Sequence, residues 1–249
     1  MTEQLIGVLP GEVLGTLADI MLKLKNGGIT PDELKRFAKR ENPFDGMPSA
    51  TKVQVGSVAR SVDEFVAEWG NFYREIGIEV DLTGLRVPER REGFDRLIVV
   101  AKGMSPERAY QKCLEHFRCW KYVGDRNLDE SVFDIDCLER KYRRSDNETY
   151  AVWVRDREEA DQELKNRSAN DLAVAKISGI TLEARELYEL KYFKETGKHL
   201  DRYNWTLCAG SRSVDGRVLR SGWNDGRFFL GWYDPVGAHG VLRSREAVS

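Results

Sequence analysis

Apolar residues recur every three or four positions through the first ninety residues, and that period predicts short helices. Val13, Leu14, Leu17, Ile20, Met21 and Leu24 keep it until Gly27 and Gly28 stop the pattern. Thr30, Pro31 and Glu33 then offer a cap, a first-turn proline and a capping box for a second helix. Ser61 and Glu64 repeat the device ahead of Phe65, Trp69, Phe72 and Ile76, which fall on one stripe. At Arg96–Gly103 the period disappears. The run RLIVVAKG is continuously apolar and ends in glycine, as a strand covered on both faces does. A helix is expected from Ser105 and Pro106, with Tyr110, Cys113, Leu114 and Phe117 on one face, followed by a polar connector.

From Glu148 the pattern sharpens. TYAVWVRD alternates Tyr150, Val152 and Val154 against Ala151, Trp153 and Arg155, which predicts a half-buried strand. The charged stretch REEADQELKNRSANDLAVA reads as helix. Thr181 caps a further helix that Gly197 ends, with Leu182, Leu190 and Phe193 on one stripe and Ala184, Tyr188 and Tyr192 on another. Two stripes imply two packing neighbours, with Leu190 and Phe193 buried. Residues 205–249 change character again, with three of the six tryptophans, seven glycines and no lysine, which disfavours helix. RFFLGWY predicts a strand with Phe228, Leu230 and Trp232 inward and Phe229, Gly231 and Tyr233 outward, and a closing strand is expected around LRSREAVS. The fold class is therefore α+β, in three segments: residues 1–90 helical, 91–147 α/β and connector, and 148–249 a β-rich domain.

Composition narrows the function classes. A chain of 249 residues with 41% hydrophobic and 10% aromatic residues buries a core and is not a disordered chain. A net charge of −2 gives no global attraction to nucleic acid or to anionic membrane, so neither is an expected partner. The first residues lack a basic n-region, no run of about 18 apolar residues occurs, and four cysteines suit a reducing compartment. The cytoplasm is the expected location.

Candidate chemistry is sparse. Cys113, His116, Cys119 and Cys137 lie close in sequence, but on a helix the first points away from the next two, so no metal centre is expected. No nucleophile elbow, phosphate loop or dinucleotide fingerprint is present, and carboxylate pairs such as Glu158 with Glu159 or Glu183 with Glu186 read as solvated helix faces. No catalytic residue and no cofactor is nominated. The triplet Trp223-Asn224-Asp225 matches one that supplies calcium ligands in C-type lectins, without the second triplet those lectins need.

WTLCAGSRSVDGRVLRSGW, RFFLGWYDP and the terminal LRSREAVS, with YAVWVRDREEAD and ISGITLEARELYELKYFKETGKHLD upstream, resemble the target proteins of diversity-generating retroelements. The likeness covers residues 148–249. It implies a C-type-lectin-like domain of the formylglycine-generating-enzyme-like branch, whose first and last strands pair, here residues 150–156 with 242–248. Trp205, Cys208, Gly210, Ser211, Arg212, Asp215, Gly216, Trp223, Trp232 and Leu242–Arg245 would be framework. Arg217, Leu219, Arg220, Gly222, Asn224, Phe229, Gly231, Tyr233, Val236, His239 and Gly240 would be the varied, ligand-binding positions. The enzymes of that branch use a cysteine pair, and this region has Cys208 alone, so their activity is not implied. The expectation is a non-enzymatic binder of a protein or glycan; a calcium lectin or enzyme on the same scaffold, and a structural or phage-related assembly protein, are the alternatives.

Overall fold

The computed structural model describes residues 60–122, 127–136, 141 and 143–249, together with Met21, Lys25, Asp32, Leu34 and Lys35, all five of which are helical. The helices expected from Val13 and Thr30, and Cys137, otherwise lie outside the described residues. The chain divides into two compact units, Met1–Ala59 and Arg60–Ser249, and the second is described from here on.

Local signals start its elements. Ser61 and Glu64 close a reciprocal capping box on α1 (Val62–Glu75), and the stripe of Phe65, Trp69 and Phe72 is buried with Ile76. The Trp69 indole donates to the Leu97 carbonyl (2.9 Å) and the Tyr73 hydroxyl to that of Val99 (2.8 Å). Those carbonyls belong to β1 (Arg96–Val100), which pairs antiparallel with β4 (Tyr150–Val154). All five residues of β4 are buried, not half of them, because α1 and further core cover both sides. Ser105 caps α2 (Pro106–Leu114), which buries Tyr110 and Cys113 but leaves Leu114 exposed.

The chain then turns into strand. Cys119 is not on a helix beside Cys113 but on β2 (Cys119–Tyr122). A short β3 (Val132–Asp134) and a one-turn α3 (Arg144–Asn147) precede β4. The charged stretch after β4 holds a 3-10 turn at Gln162–Leu164 and a short α4 (Ala169–Val174) capped by Ser168, in place of one long helix. α5 (Leu182–Thr196) runs from the Thr181 cap to Gly197 at φ 68°, as its sequence predicts.

Every residue of α5 from Leu182 to Lys191 is buried. Ala184, Leu187, Tyr188 and Leu190 join the core formed with α1, β1 and β4, while Leu182 joins a second cluster with Tyr110, Leu219, Phe228 and Leu230. The two-neighbour expectation therefore describes the helix, but Phe193 is only half-buried, and Glu183 and Glu186 are wholly buried instead of solvated.

Five strands make the second layer, in the order β2, β8, β7, β5, β9: β5 (Trp205–Leu207), β7 (Val218–Asn224), β8 (Arg227–Tyr233) and β9 (Leu242–Ser244) join β2. A two-stranded ladder of β3 with β6 (Ser211–Ser213) sits beside it. β9 pairs in parallel with β5, and the closing segment meets β4 only at Trp153 and Val248, in an antiparallel bridge with two backbone bonds of 2.9 Å. The fold is α+β. Residues from 60–90, 91–147 and 148–249 share one core.

Candidate recognition face

Asp225 and Gly226 join β7 to β8 with φ of 50° and 70°, a two-residue turn whose twist suits the flanking strands. The Trp-Asn-Asp triplet is thus a hairpin corner: Asn224 pairs with Arg227 across it, and the Asp225 carboxylate holds the Arg227 guanidinium at 2.7 Å. Among the described residues no three metal-ligating side chains gather.

The hairpin register separates two faces. Leu219, Phe228 and Leu230 are buried against Tyr110, Leu182 and Cys208, with Trp232 half-buried on the same side beneath Arg217, 4.8 Å from its ring centre. Two of the expected ligand-binding positions therefore lie elsewhere. Leu219 is core, because it stands opposite Trp232 on the inward face, and Arg217 caps that same inward-facing ring while bound to Asp215 at 2.6 Å.

The opposite face carries Arg220, Phe229 and Tyr233, all half-buried. Their rings form a continuous series. Trp120 lies 5.1 Å from Phe229, Phe229 5.2 Å from Trp205, and Tyr233 5.8 Å from His239. The Arg220 guanidinium fills the gap between Trp205 and Tyr233, at 4.6 and 4.9 Å. Parallel pairing of β2 with β8 sets Trp120 beside Phe229 and Tyr122 beside Gly231, and these two are 44% and 66% exposed. Sequence reasoning missed both. The signal was the alternation of Trp120 and Tyr122 with Cys119 and Lys121, hidden by extending the preceding helix.

Gly222 and Gly231 are buried floor, not contacts. A Cβ at Gly231 would stand 2.6 Å from Phe229 Cε1, and one at Gly222 3.0 Å from Trp205 Cε3. Both rings lie on the strand because glycine is beneath them. At one end of this face, Leu164, Ala169 and Leu172 cover Leu207, Val218 and Leu242. The loop after β8, with Val236 and Gly240 exposed, leaves from this covered end, and Asn224 is exposed at the turn at the other.

Asp134, Tyr150, Lys176, Gly179, Thr181 and Gly210 help to line a cleft of about 350 Å³. Behind it Glu183 accepts from the Tyr150 hydroxyl at 3.1 Å, and Glu183 Oε2 and Asp134 Oδ1 are buried with no hydrogen-bond partner. Burial pushes Glu183 up to about 8, reinforced by the charge of Asp134, and burial raises Asp134 to about 6.

A carboxyl whose pKa is higher in the folded chain keeps its proton where the unfolded chain has lost it. The Glu183 contribution is therefore greatest below its ordinary 4.5, falls as pH rises to about 8, and is flat above. Each retained proton costs about 1.4 kcal/mol per pH unit within that window. Glu183→Gln has no proton to lose, so its melting temperature should depend less on pH between 5 and 8 and exceed that of wild type at pH 8.5. A pH slope identical to wild type would contradict this account.

Comparison with known proteins finds no matching protein-family model, no matching curated protein and no matching solved structure.

Proposed function

We propose that the chain is a non-enzymatic ligand-binding protein whose recognition surface is the open face of the five-stranded sheet, on a C-type-lectin-like scaffold of the kind diversified by retroelements. One observation carries the reading: the partly exposed series Trp120, Phe229, Trp205, Arg220, Tyr233 and His239, whose neighbours touch ring to ring or ring to cation. Tryptophan and tyrosine side chains give large contact areas at low entropic cost, and together with arginine they dominate binding energy at protein interfaces. A surface of aromatic and arginine side chains suits a protein partner; a glycan is the other candidate. Trp120 and Tyr122 stand outside residues 205–249 and would be constant anchors beside varied positions.

The DNA around the gene tests diversification. A near-copy of the segment coding for residues 205–249, differing mainly at adenines and lying beside a reverse transcriptase gene, is the expected result. Its absence removes retroelement diversification and leaves a binder of fixed sequence. The division of faces has its own test in stability. Leu219→Ala should cost about 2–3 kcal/mol through the cavity it leaves, whereas Phe229→Ala should cost under about 1 kcal/mol. Equal losses would overturn the assignment of Phe229 to the outer surface.

A second reading, an enzyme on the same scaffold, draws on the cleft and the raised carboxyl of Asp134 beside it. Turnover of a chromogenic ester or glycoside that disappears in Asp134→Asn would favour it.

A further inference from the structure

We infer that the partner bound by this face presents a carboxylate, the side chain of an aspartate or glutamate on a protein surface, and that Arg220 receives it. The inference rests on the face being the recognition surface, and it adds the chemistry of what is recognised.

Arg220 differs from its neighbours in how its charge is met. Arg217 and Arg227 are each held by the aspartate two residues earlier, Asp215 at 2.6 Å and Asp225 at 2.7 Å. Other arginines of the unit are met in the same way: Arg185 by Asp201 and Glu189, Arg155 by Asp161 and Glu246, Arg157 by Glu163. Arg220 stacks between Trp205 and Tyr233; its Nε is buried, and no hydrogen bond or ion pair to a described residue engages the guanidinium, so its two Nη groups are the donors left for a ligand. Stacking engages the flat faces of a guanidinium and leaves its N–H edge for in-plane bonds. A partly desolvated guanidinium with its donors unspent gains most from a planar acceptor that can take two parallel N–H bonds, which is a carboxylate.

The surroundings suit the rest of an acidic side chain and its neighbours. Gly231 stands directly opposite Arg220 in the register, and the Phe229 ring lies over it. The charge is thus set among Trp205, Phe229 and Tyr233, where water is poorly placed to compete. A phosphate, with its second negative charge, calls for a second unpaired cation or a nest of backbone N–H groups. Here the nearby Arg227 is already bound to Asp225, and residues 205–249 contain no lysine. A single carboxylate flanked by apolar side chains fits the charge and shape of this patch, and a protein surface supplies both.

The test uses a phage-displayed random peptide library selected on the full chain, followed by calorimetric titration of a selected peptide. Selected sequences should carry Asp or Glu next to an aromatic or aliphatic residue. Converting that acid to its amide should weaken binding about tenfold or more, and in Arg220→Gln the acid and amide peptides should bind alike. Arg220→Lys, which keeps the charge but not the fork, should recover only part of the loss, and Arg217→Gln should behave as wild type. Thermal melts establish that each variant is folded.

Binding that depends on Phe229 but not on the acid overturns the carboxylate assignment and leaves the recognition face standing. Peptides indifferent to both Phe229→Ala and Arg220→Gln remove the recognition face as well. A selection yielding no peptide also counts against the inference, and sialylated glycans bound through Arg220 would replace the protein partner with a sugar.

Discussion

Asp201→Asn should destabilise the chain by about 3–5 kcal/mol, the cost of leaving a buried charge without its partner, although the substitution changes shape hardly at all. Asp201 lies in the loop between α5 and β5 and is fully buried. One of its oxygens takes two bonds from Arg185, at 3.0 and 2.7 Å, and one from the Thr206 hydroxyl at 2.6 Å; the other takes Arg245 at 2.7 Å. Both arginines are themselves buried, and among the described residues Glu189 is the only other carboxylate bound to either of them, reaching Arg185 at 2.9 Å. Asparagine tolerates the left-handed backbone that Asp201 adopts at φ 53°, so the substitution isolates the charge. Burial alone would raise the carboxyl, but Arg245 and Arg185 outweigh it and hold it below the ordinary value. The stability it confers is thus complete above its ordinary 3.8 and lost as pH falls below. Urea denaturation at pH 7 measures the difference. An Asp201→Asn midpoint equal to wild type would show that the two arginines do not depend on this carboxylate.

That network was invisible in the sequence for a physical reason. Glu183, Arg185, Glu186 and Glu189 recur through α5 as charges do on a solvated face, and only the presence of layers on two sides makes them interior. By contrast, the start of α1 and both ends of α5 were legible, because a capping side chain and a terminal glycine act within one turn of the chain. The apolar run of β1 was legible too, since burial on both faces requires it, but its partner β4 lies about fifty residues away and no local pattern names it. The face behaves likewise. Alternation along RFFLGWY put Phe229 and Tyr233 opposite Phe228 and Leu230. Trp120 and Tyr122 came from β2, whose pairing with β8 is parallel and non-local. Arg217 was misplaced by ignoring the same alternation just before β7.

Gly210→Ala is the substitution in which one added methyl should do the most damage. A Cβ at Gly210 would stand 2.4 Å from the Gly179 carbonyl oxygen and 3.0 Å from both Ile180 C and Thr181 N. These are backbone atoms held in place by hydrogen bonds, not side chains that can swing aside. Gly210 N–H donates to the Ile180 carbonyl at 3.0 Å, its own carbonyl accepts from Ile135 at 2.8 Å, and Ile180 N–H donates to the Arg245 carbonyl at 2.9 Å. Gly179 meets the same crossing from the other side, since its own Cβ would lie 2.6 Å from that of Ala209. The two glycines let the lead-in to α5 pass directly over the chain between β5 and β6, with β3 and the closing segment bonded to either side. Relief of the contact must shift Thr181, the cap of α5, so the strain reaches the central helix. Overpacking typically costs about 1–3 kcal/mol, and contacts made to hydrogen-bonded backbone put Gly210→Ala at the upper end of that range. Gly240→Ala is the matched control, because its Cβ would meet only Lys165 Cε, at 3.9 Å, and its midpoint should stay within about 0.5 kcal/mol of wild type. If the two variants unfold at the same urea concentration with the same slope, the close crossing is not a determinant of this fold.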